Sequence, residues 1–360
     1  MGGLGPPLFF VRERISLCYE PQPMKLSDLR FDYPENLVAT EPRRPSRVAW
    51  IKDGEPPQEI SLAELCERIP ADDILVINDT KVLHRRVFAG ELEILFLRPE
   101  PELVWQVLMP SKKLKINEVI ELPMDVRMTL LEKGRPQRVR VSRVLTDQDF
   151  EKYGELPLPP YIQKARGVRH NQGADENWYQ TAWAEKPGSL AAPTASLHFQ
   201  DTHLARLQAR GVQIKKVTLH VGLGTFLPVL TEDLDQHPMH FEELEVKPEV
   251  WQELKMAKQQ GRHIWALGTT AVRALETAAR GPLRGETNLL IQPGFKFQMV
   301  DRLLTNFHQP ESTLLALVAA FSDLEKVKAS YAWAIEKNFR LFSYGDLSVW
   351  IPGDPQRSMR

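Results

Sequence analysis

The chain has 360 residues, 42% hydrophobic and 26% charged, with 47 acidic against 46 basic side chains and a formal net charge of -1. That balance excludes a disordered chain, a coiled coil and a collagen-like repeat, and supplies enough apolar material for a core without disulfide or metal staples. A near-zero charge also argues against coating nucleic acid by bulk electrostatics, while leaving room for a folded RNA docked on one local basic face.

No run of 18 uncharged apolar residues occurs, so no membrane-spanning helix is expected. The two cysteines, Cys18 and Cys66, form no Cys-x-x-Cys pair, which disfavours a disulfide framework or zinc ribbon and fits a reducing, cytoplasmic setting. Leu8-Phe9-Phe10-Val11 is cut off by Arg12-Glu13-Arg14, too short a run for a signal peptide. Pro6 stands where a myristoylation signal on Gly2 would need Ser or Thr. The length suggests two domains, or one large domain carrying an insertion.

Residues 1–23 show no periodicity and are expected to form a poorly ordered extension, with Met24 as the expected natural start. Ser61 followed by Glu64 predicts a capped helix over Leu62–Ile69, and the apolar run Ile74–Ile77 a buried strand ending in the polar Asn78-Asp79. Between residues 85 and 156 short alternating runs recur: 92–96, 104–108, 119–122, 126–130 and 138–141. Strands at that spacing suggest a small all-β barrel or sandwich. The proline-rich Leu156–Tyr161 closes the region. Beyond it the spacing predicts a helix beginning at Asn177–Trp183, a helix over 201–211, a strand over 214–221, a helix over 248–260 and a strand over 264–267. A helix over 270–279, a strand over 288–291 and helices over 313–321 and 329–338 follow. This alternation predicts a partly parallel sheet. The expected fold is a mixed α/β domain (24–84 and 157–360) interrupted by an inserted small all-β barrel domain (85–156).

No phosphate-binding Gly-x-x-x-x-Gly-Lys loop and no three-glycine dinucleotide turn is present. Three strand-to-loop junctions share one design, with small or polar residues just past a buried strand: Asn78-Asp79-Thr80, His220–Thr225 and Gly268-Thr269-Thr270. Strand ends of this kind converge at the ligand crevice of open α/β sheets. Arg273 and Glu276 lie three apart and are expected to pair on one helix face. His237 and His240 have an i, i+3 spacing, but no acidic ligand set accompanies them, so no metal is expected. His198 and His308 are of the type that moves protons near neutral pH. Basic residues gather in the β region, from Lys133 to Arg143 with Lys112, Lys113 and Lys115 nearby, and Arg138 and Arg140 fall on one strand face. That stripe suits phosphates as well as it suits a solvated strand face.

Taken in order, many segments resemble the S-adenosylmethionine:tRNA ribosyltransferase-isomerases of queuosine biosynthesis. They include Met24–Asp28, Ser46-Arg47, Asn78–Val82, Leu156–Ile162, Lys186–Ala195, Leu197-His198-Phe199, Thr218–Phe226, Met239-His240, Leu267–Arg273, Leu304–His308 and Phe342–Asp346. The resemblance implies an α/β body interrupted by a β-barrel. It implies transfer of the ribosyl part of S-adenosylmethionine to the aminomethyl group of a 7-deazaguanine at the tRNA wobble position. Rearrangement then gives epoxyqueuosine and releases adenine and methionine. S-adenosylmethionine is a co-substrate, and no resident cofactor or metal is expected. Proton transfer is expected from His198 and His220, with Asp79 and His308 as alternates. Gly222, Gly224, Thr225 and Phe226 with Thr269 and Thr270 are expected to hold the nucleoside, and Arg273 to take the methionine carboxylate in a bidentate pair. Arg47, Lys81, Lys112, Lys113, Arg138 and Arg140 are expected to contact tRNA. Ser196 stands where the family usually has Gly, as does Asn117, and strain is expected at Ser196 if that site needs a positive φ. Two other readings stay open: a tRNA-binding paralogue with impaired catalysis, and a different S-adenosylmethionine-dependent RNA-modifying enzyme such as a methyltransferase.

Overall fold

Ile74–Asn78, buried at every position, is an interior strand of a nine-stranded mixed sheet in a computed structural model that describes residues 24–227 and 229–353. The predicted extension over 1–23 lies outside the described residues. An apolar run such as Ile74–Ile77 is what a sheet covered on both faces requires, and the neighbours Gln213–Leu219 and Ile264–Leu267 both run parallel to this strand. Outward on one side come Glu242–Glu245 and the edge strand Arg284–Thr287; on the other come Arg302–Asn306, Leu347–Ile351, Arg47–Lys52 and Gln58–Ser61. One face packs Val76, Ala266, Val272, Leu275 and Phe307, and the other Leu75, Ile77, Trp265 and Leu304.

A second sheet holds six antiparallel strands: Arg86–Ala89, Leu92–Glu100, Val104–Leu108, Gln137–Val141, Val126–Glu132 and Val119–Leu122, in that spatial order. Its outermost strands approach each other within 8 Å between Cα atoms, so the sheet curls nearly closed. The alternation of the sequence becomes inside and outside: Val126, Met128 and Leu130 join Phe96, Trp105, Val139 and Phe150 in a separate core. The chain arrives and leaves side by side, since Arg86 and Glu155 exchange both backbone hydrogen bonds (3.2 and 2.8 Å). Asn117 adopts a left-handed φ of 67°, a conformation Asn tolerates better than most residues.

Local signals that the chain could satisfy by itself appear as predicted. Ser61 Oγ accepts from the Glu64 N–H at 3.0 Å and opens the helix Leu62–Arg68. Pro248 starts the helix Pro248–Gln259, and Gly261 past its end takes φ +75°. Two expectations fail. The helix predicted to begin at Asn177 instead ends there, as Gly173–Trp178, because Tyr179 turns inward against Tyr344 (ring centroids 6.0 Å). The strand predicted at 288–291 is Arg284–Thr287, which pairs with Glu242–Glu245. Its mostly exposed pattern suits a sheet edge, and the apolar residues 289–291 line a cavity instead.

The Arg273–Glu276 pair does not form either. Glu276, fully buried, accepts from the N–H groups of Gln298, Met299 and Val300 (2.9 Å each) and from Arg280 at 2.6 Å. It thereby ties the helix Thr269–Ala278 to the segment leading into Arg302–Asn306.

Candidate functional site

The three predicted junctions lie at the C-terminal ends of three adjacent parallel strands, with the end of Arg302–Asn306 beside them. A cavity of about 480 Å³ opens there, within the roughly 300–1,000 Å³ typical of small-molecule sites. Its wall comes from segments distant in sequence: Ala191–Ala195, Gly224, four residues between His237 and Glu242, Gly268–Thr270 with Arg273, Leu289–Ile291 and Thr305–Leu314, closed by Tyr161, Tyr179 and Phe342.

The helix Thr269–Ala278 starts at this wall after Gly268, whose φ of +93° permits the turn, and no side chain caps it. Its first N–H groups thus lie where an anion would be favoured. Arg273, one turn on, is 92% buried. Nη1 forms an ion pair with Glu242, and Nε donates to the Leu289 carbonyl at 3.2 Å. A bidentate grip on a carboxylate is therefore not available as expected, because one edge of the guanidinium is already occupied. Nη2 has no partner, and neither do Thr270 Oγ1 and His237 Nδ1. Three residues of one cavity lining thus each carry a buried polar atom without a partner, at about 1–3 kcal/mol apiece unless a ligand repays it. Glu242 is positioned in turn by the Gly222 N–H, donated to Oε1 at 3.0 Å.

Of the expected nucleoside-binding residues, Gly224, Thr269 and Thr270 line the cavity, whereas Gly222 and Phe226 do not. The side chain of Thr225 lies outside the described set. The turn Leu223–Phe226 is a short 3₁₀ helix, and a Cβ on Gly224 would stand 3.2 Å from the His240 ring, which would have to shift to admit it.

The expected proton-transfer residues divide. His308 lines the cavity; its Nε2 meets Thr305 Oγ1 at 2.9 Å, and burial lowers its pKa to about 3. His198 sits outside the lining, buried, with both ring nitrogens engaged: Nδ1 meets Ser46 Oγ at 2.6 Å and Nε2 meets Asn306 Nδ2 at 3.0 Å. Since the Asn306 amide donates to Nε2, the proton resides on Nδ1 and the ring is neutral. Burial first, with Arg340 and Arg44 adding, pushes its pKa down to about 3. His198 thus orients Asn306, which also accepts from Thr194 Oγ1 at 2.9 Å; both of those residues face the cavity.

His220 and Asp79 also lie outside the lining. The His220 ring packs on Gly188, where a Cβ would come within 2.7 Å of it, and Nδ1 meets Thr80 Oγ1 at 2.7 Å. Burial lowers its pKa, against the opposing charges of Glu243 and Asp79. Asp79 is buried and accepts from Thr218 Oγ1 at 2.6 Å. These contacts brace the loop: the Val221 N–H donates to Ser189 Oγ, and Ser189 Oγ–H to the Ala191 carbonyl.

Ser196 is not strained. It lies in the 3₁₀ turn Thr194–His198, and it is not among the residues with positive φ. Its cost is of another kind: the hydroxyl is fully buried without a partner. Ser196→Ala is expected to raise stability by about 1 kcal/mol, seen as a higher urea midpoint with an unchanged slope.

Among the expected tRNA contacts, Lys81, Lys112, Lys113, Arg138 and Arg140 are exposed, and Arg138 and Arg140 share the outer face of their strand. Arg138 is already paired with Glu100 at 2.9 Å. Arg47 is occupied by the fold, bonded to Glu59 (2.6 Å) and to the carbonyls of Lys337 and Asn338, and stacked on Phe339. Among the described residues no helix is long and apolar enough to cross a membrane.

Thr194, His237, His240, Glu242 and Asn306 also line the cavity, and none of them was expected as a site residue. His237 and His240 carried a spacing signal that pointed only to metal. Glu242 carried none, since its partner Arg273 lies 31 residues away.

A profile of the family described as queuosine biosynthesis protein matches residues 26–350. A protein of Azoarcus sp. (strain BH72) is 43% identical over 349 residues, covering 92% of this chain and 99% of its own length. One of Dinoroseobacter shibae is 40% identical over 353 residues, covering 91% and 99% respectively. Both are named S-adenosylmethionine:tRNA ribosyltransferase-isomerase. The crystal structure of S-adenosylmethionine tRNA ribosyltransferase from Thermotoga maritima is 28% identical, covers 89% of this chain and 99% of that one, and superposes with a TM-score of 0.51.

Proposed function

This chain belongs to the queuosine biosynthesis protein family, and we propose that it is an S-adenosylmethionine:tRNA ribosyltransferase-isomerase. The ribosyl part of S-adenosylmethionine moves to the aminomethyl nitrogen of 7-aminomethyl-7-deazaguanine at the tRNA wobble position and isomerises to an epoxycyclopentane. Epoxyqueuosine forms, adenine and methionine leave, and one proton is released in sum. S-adenosylmethionine acts as co-substrate, with no resident cofactor or metal, and the reaction belongs in the cytoplasm.

The observation that supports this reading best is the cavity at the strand ends, three of whose lining residues carry an unsatisfied polar atom. A zwitterionic, sulfonium-bearing nucleoside offers partners for them. Its carboxylate fits the uncapped start of Thr269–Ala278, taking one hydrogen bond from Arg273 Nη2 and one from Thr270 Oγ1. Asn306, held by His198, and Thr194 supply amide and hydroxyl groups to the nucleoside portion. Enclosure matters because a carbanion beside sulfur survives only where water is scarce.

Residues 85–156 act, in this proposal, as an inserted barrel domain that receives tRNA through Lys112, Lys113 and Arg140, with Lys81 at its base. Reversing Lys112, Lys113 and Arg140 to Glu together is expected to weaken tRNA binding at least tenfold and flatten its salt dependence, leaving S-adenosylmethionine affinity unchanged. Filter binding across a salt series measures it.

Incubation with S-adenosylmethionine and tRNA carrying the deazaguanine tests the reaction. Release of adenine and methionine in equal amounts is expected. S-adenosylhomocysteine in their place would mean methyl transfer, and no product would mean a binding protein.

A further inference from the structure

Three histidines line the cavity: His237, His240 and His308. His308 is tied on two sides, through Nε2 to Thr305 and through its backbone N–H to the Tyr331 hydroxyl at 2.9 Å. His237 differs. It follows the short turn Leu234–Gln236, and its N–H donates to the Leu234 carbonyl at 3.1 Å, so its backbone is anchored. Its Nδ1 is buried and has no partner. A buried imidazole nitrogen without a partner, in a residue that lines the cavity, is satisfied when a ligand brings a hydrogen to it. Burial and the neighbouring His240 both lower its pKa below the usual histidine value, so the ring is neutral at neutral pH and its conjugate acid gives the proton up readily.

We infer that His237 is the base that takes the proton from the carbon joined to the sulfonium of S-adenosylmethionine. The inference rests on the ribosyl-transfer reading. The C–H bond breaks, its electron pair stays on carbon beside the positive sulfur, and an N–H bond forms at Nδ1. The imidazolium then passes this proton to the adenine as the glycosidic C–N bond breaks and its electron pair departs with the base. The neutral imidazole is thereby restored. The proton lost from the attacking amine is the one released in sum.

The test uses the full chain and His237→Gln, with His237→Asn as a second variant that keeps a polar tip near Nδ1. S-adenosylmethionine affinity is measured by titration. Adenine release is followed in single turnovers with substrate tRNA, using co-substrate with hydrogen or deuterium on the carbon next to sulfur. The wild type is expected to release adenine with a primary isotope effect. Each folded variant is expected to lose turnover about 100-fold or more, with affinity within about threefold of wild type. Turnover within about threefold of wild type in either variant would overturn the assignment, as would a loss of turnover matched by an equal loss of affinity. Failure of the wild type to release adenine would instead sink the ribosyl-transfer reading itself.

Discussion

Arg273→Met is expected to cost about 3–5 kcal/mol of stability, because it leaves the Glu242 carboxylate buried and unpaired. Adding Glu242→Met is expected to restore most of that loss, since a buried ion pair replaced by apolar side chains of similar volume is often neutral. Recovery stays incomplete because the Gly222 N–H loses its acceptor. Binding behaves differently. Both variants lack Nη2, so each is expected to bind S-adenosylmethionine about 10- to 100-fold more weakly, the worth of one hydrogen bond between charged groups. Urea unfolding and calorimetric titration of the single and double variants separate the two effects. A double variant that binds like the wild type would reduce Arg273 to a structural residue.

The second large effect concerns acid. His198 and His308 are both held neutral, with pKa values pushed down to about 3 by burial, against about 6.5 when unfolded. Between those values the unfolded chain binds more protons than the folded one, so stability falls as the pH falls through that window and is fully present above about 6.5. Each group contributes on the order of 1 kcal/mol per pH unit there. Urea midpoints at pH 7.5, 6 and 5 are expected to drop in the wild type and to drop less in His198→Gln. An equal drop in the variant would mean that His198 is not the buried neutral group described. Because His198 does not titrate near neutrality in the folded chain, it adds no limb to the pH profile of turnover.

What the sequence revealed follows from how far each interaction reaches. The Ser61 cap, the alternation in Val126–Glu132 and the all-apolar Ile74–Ile77 are local, and each appears where expected. The strands Arg302–Asn306 and Leu347–Ile351 were not anticipated, and they pair across more than 40 residues. The site divides in the same way. Strand-end residues such as Gly224, Thr269 and Thr270 announced themselves by residue type and position. The directions of His198, His220 and Asp79 did not, because only the packed fold decides which side of a loop meets the cavity. Asn306 and Glu242 read as ordinary strand residues until His198 and Arg273 are seen against them.

The central claim is that the ribosyl group, and not the methyl group, of S-adenosylmethionine reaches the tRNA. Doubly labelled co-substrate decides it, with carbon-14 in the ribose and tritium in the methyl group, counted in tRNA recovered after reaction with the full chain. The tRNA is expected to carry carbon-14 and no tritium. Tritium in the tRNA, or no label at all, would contradict the account.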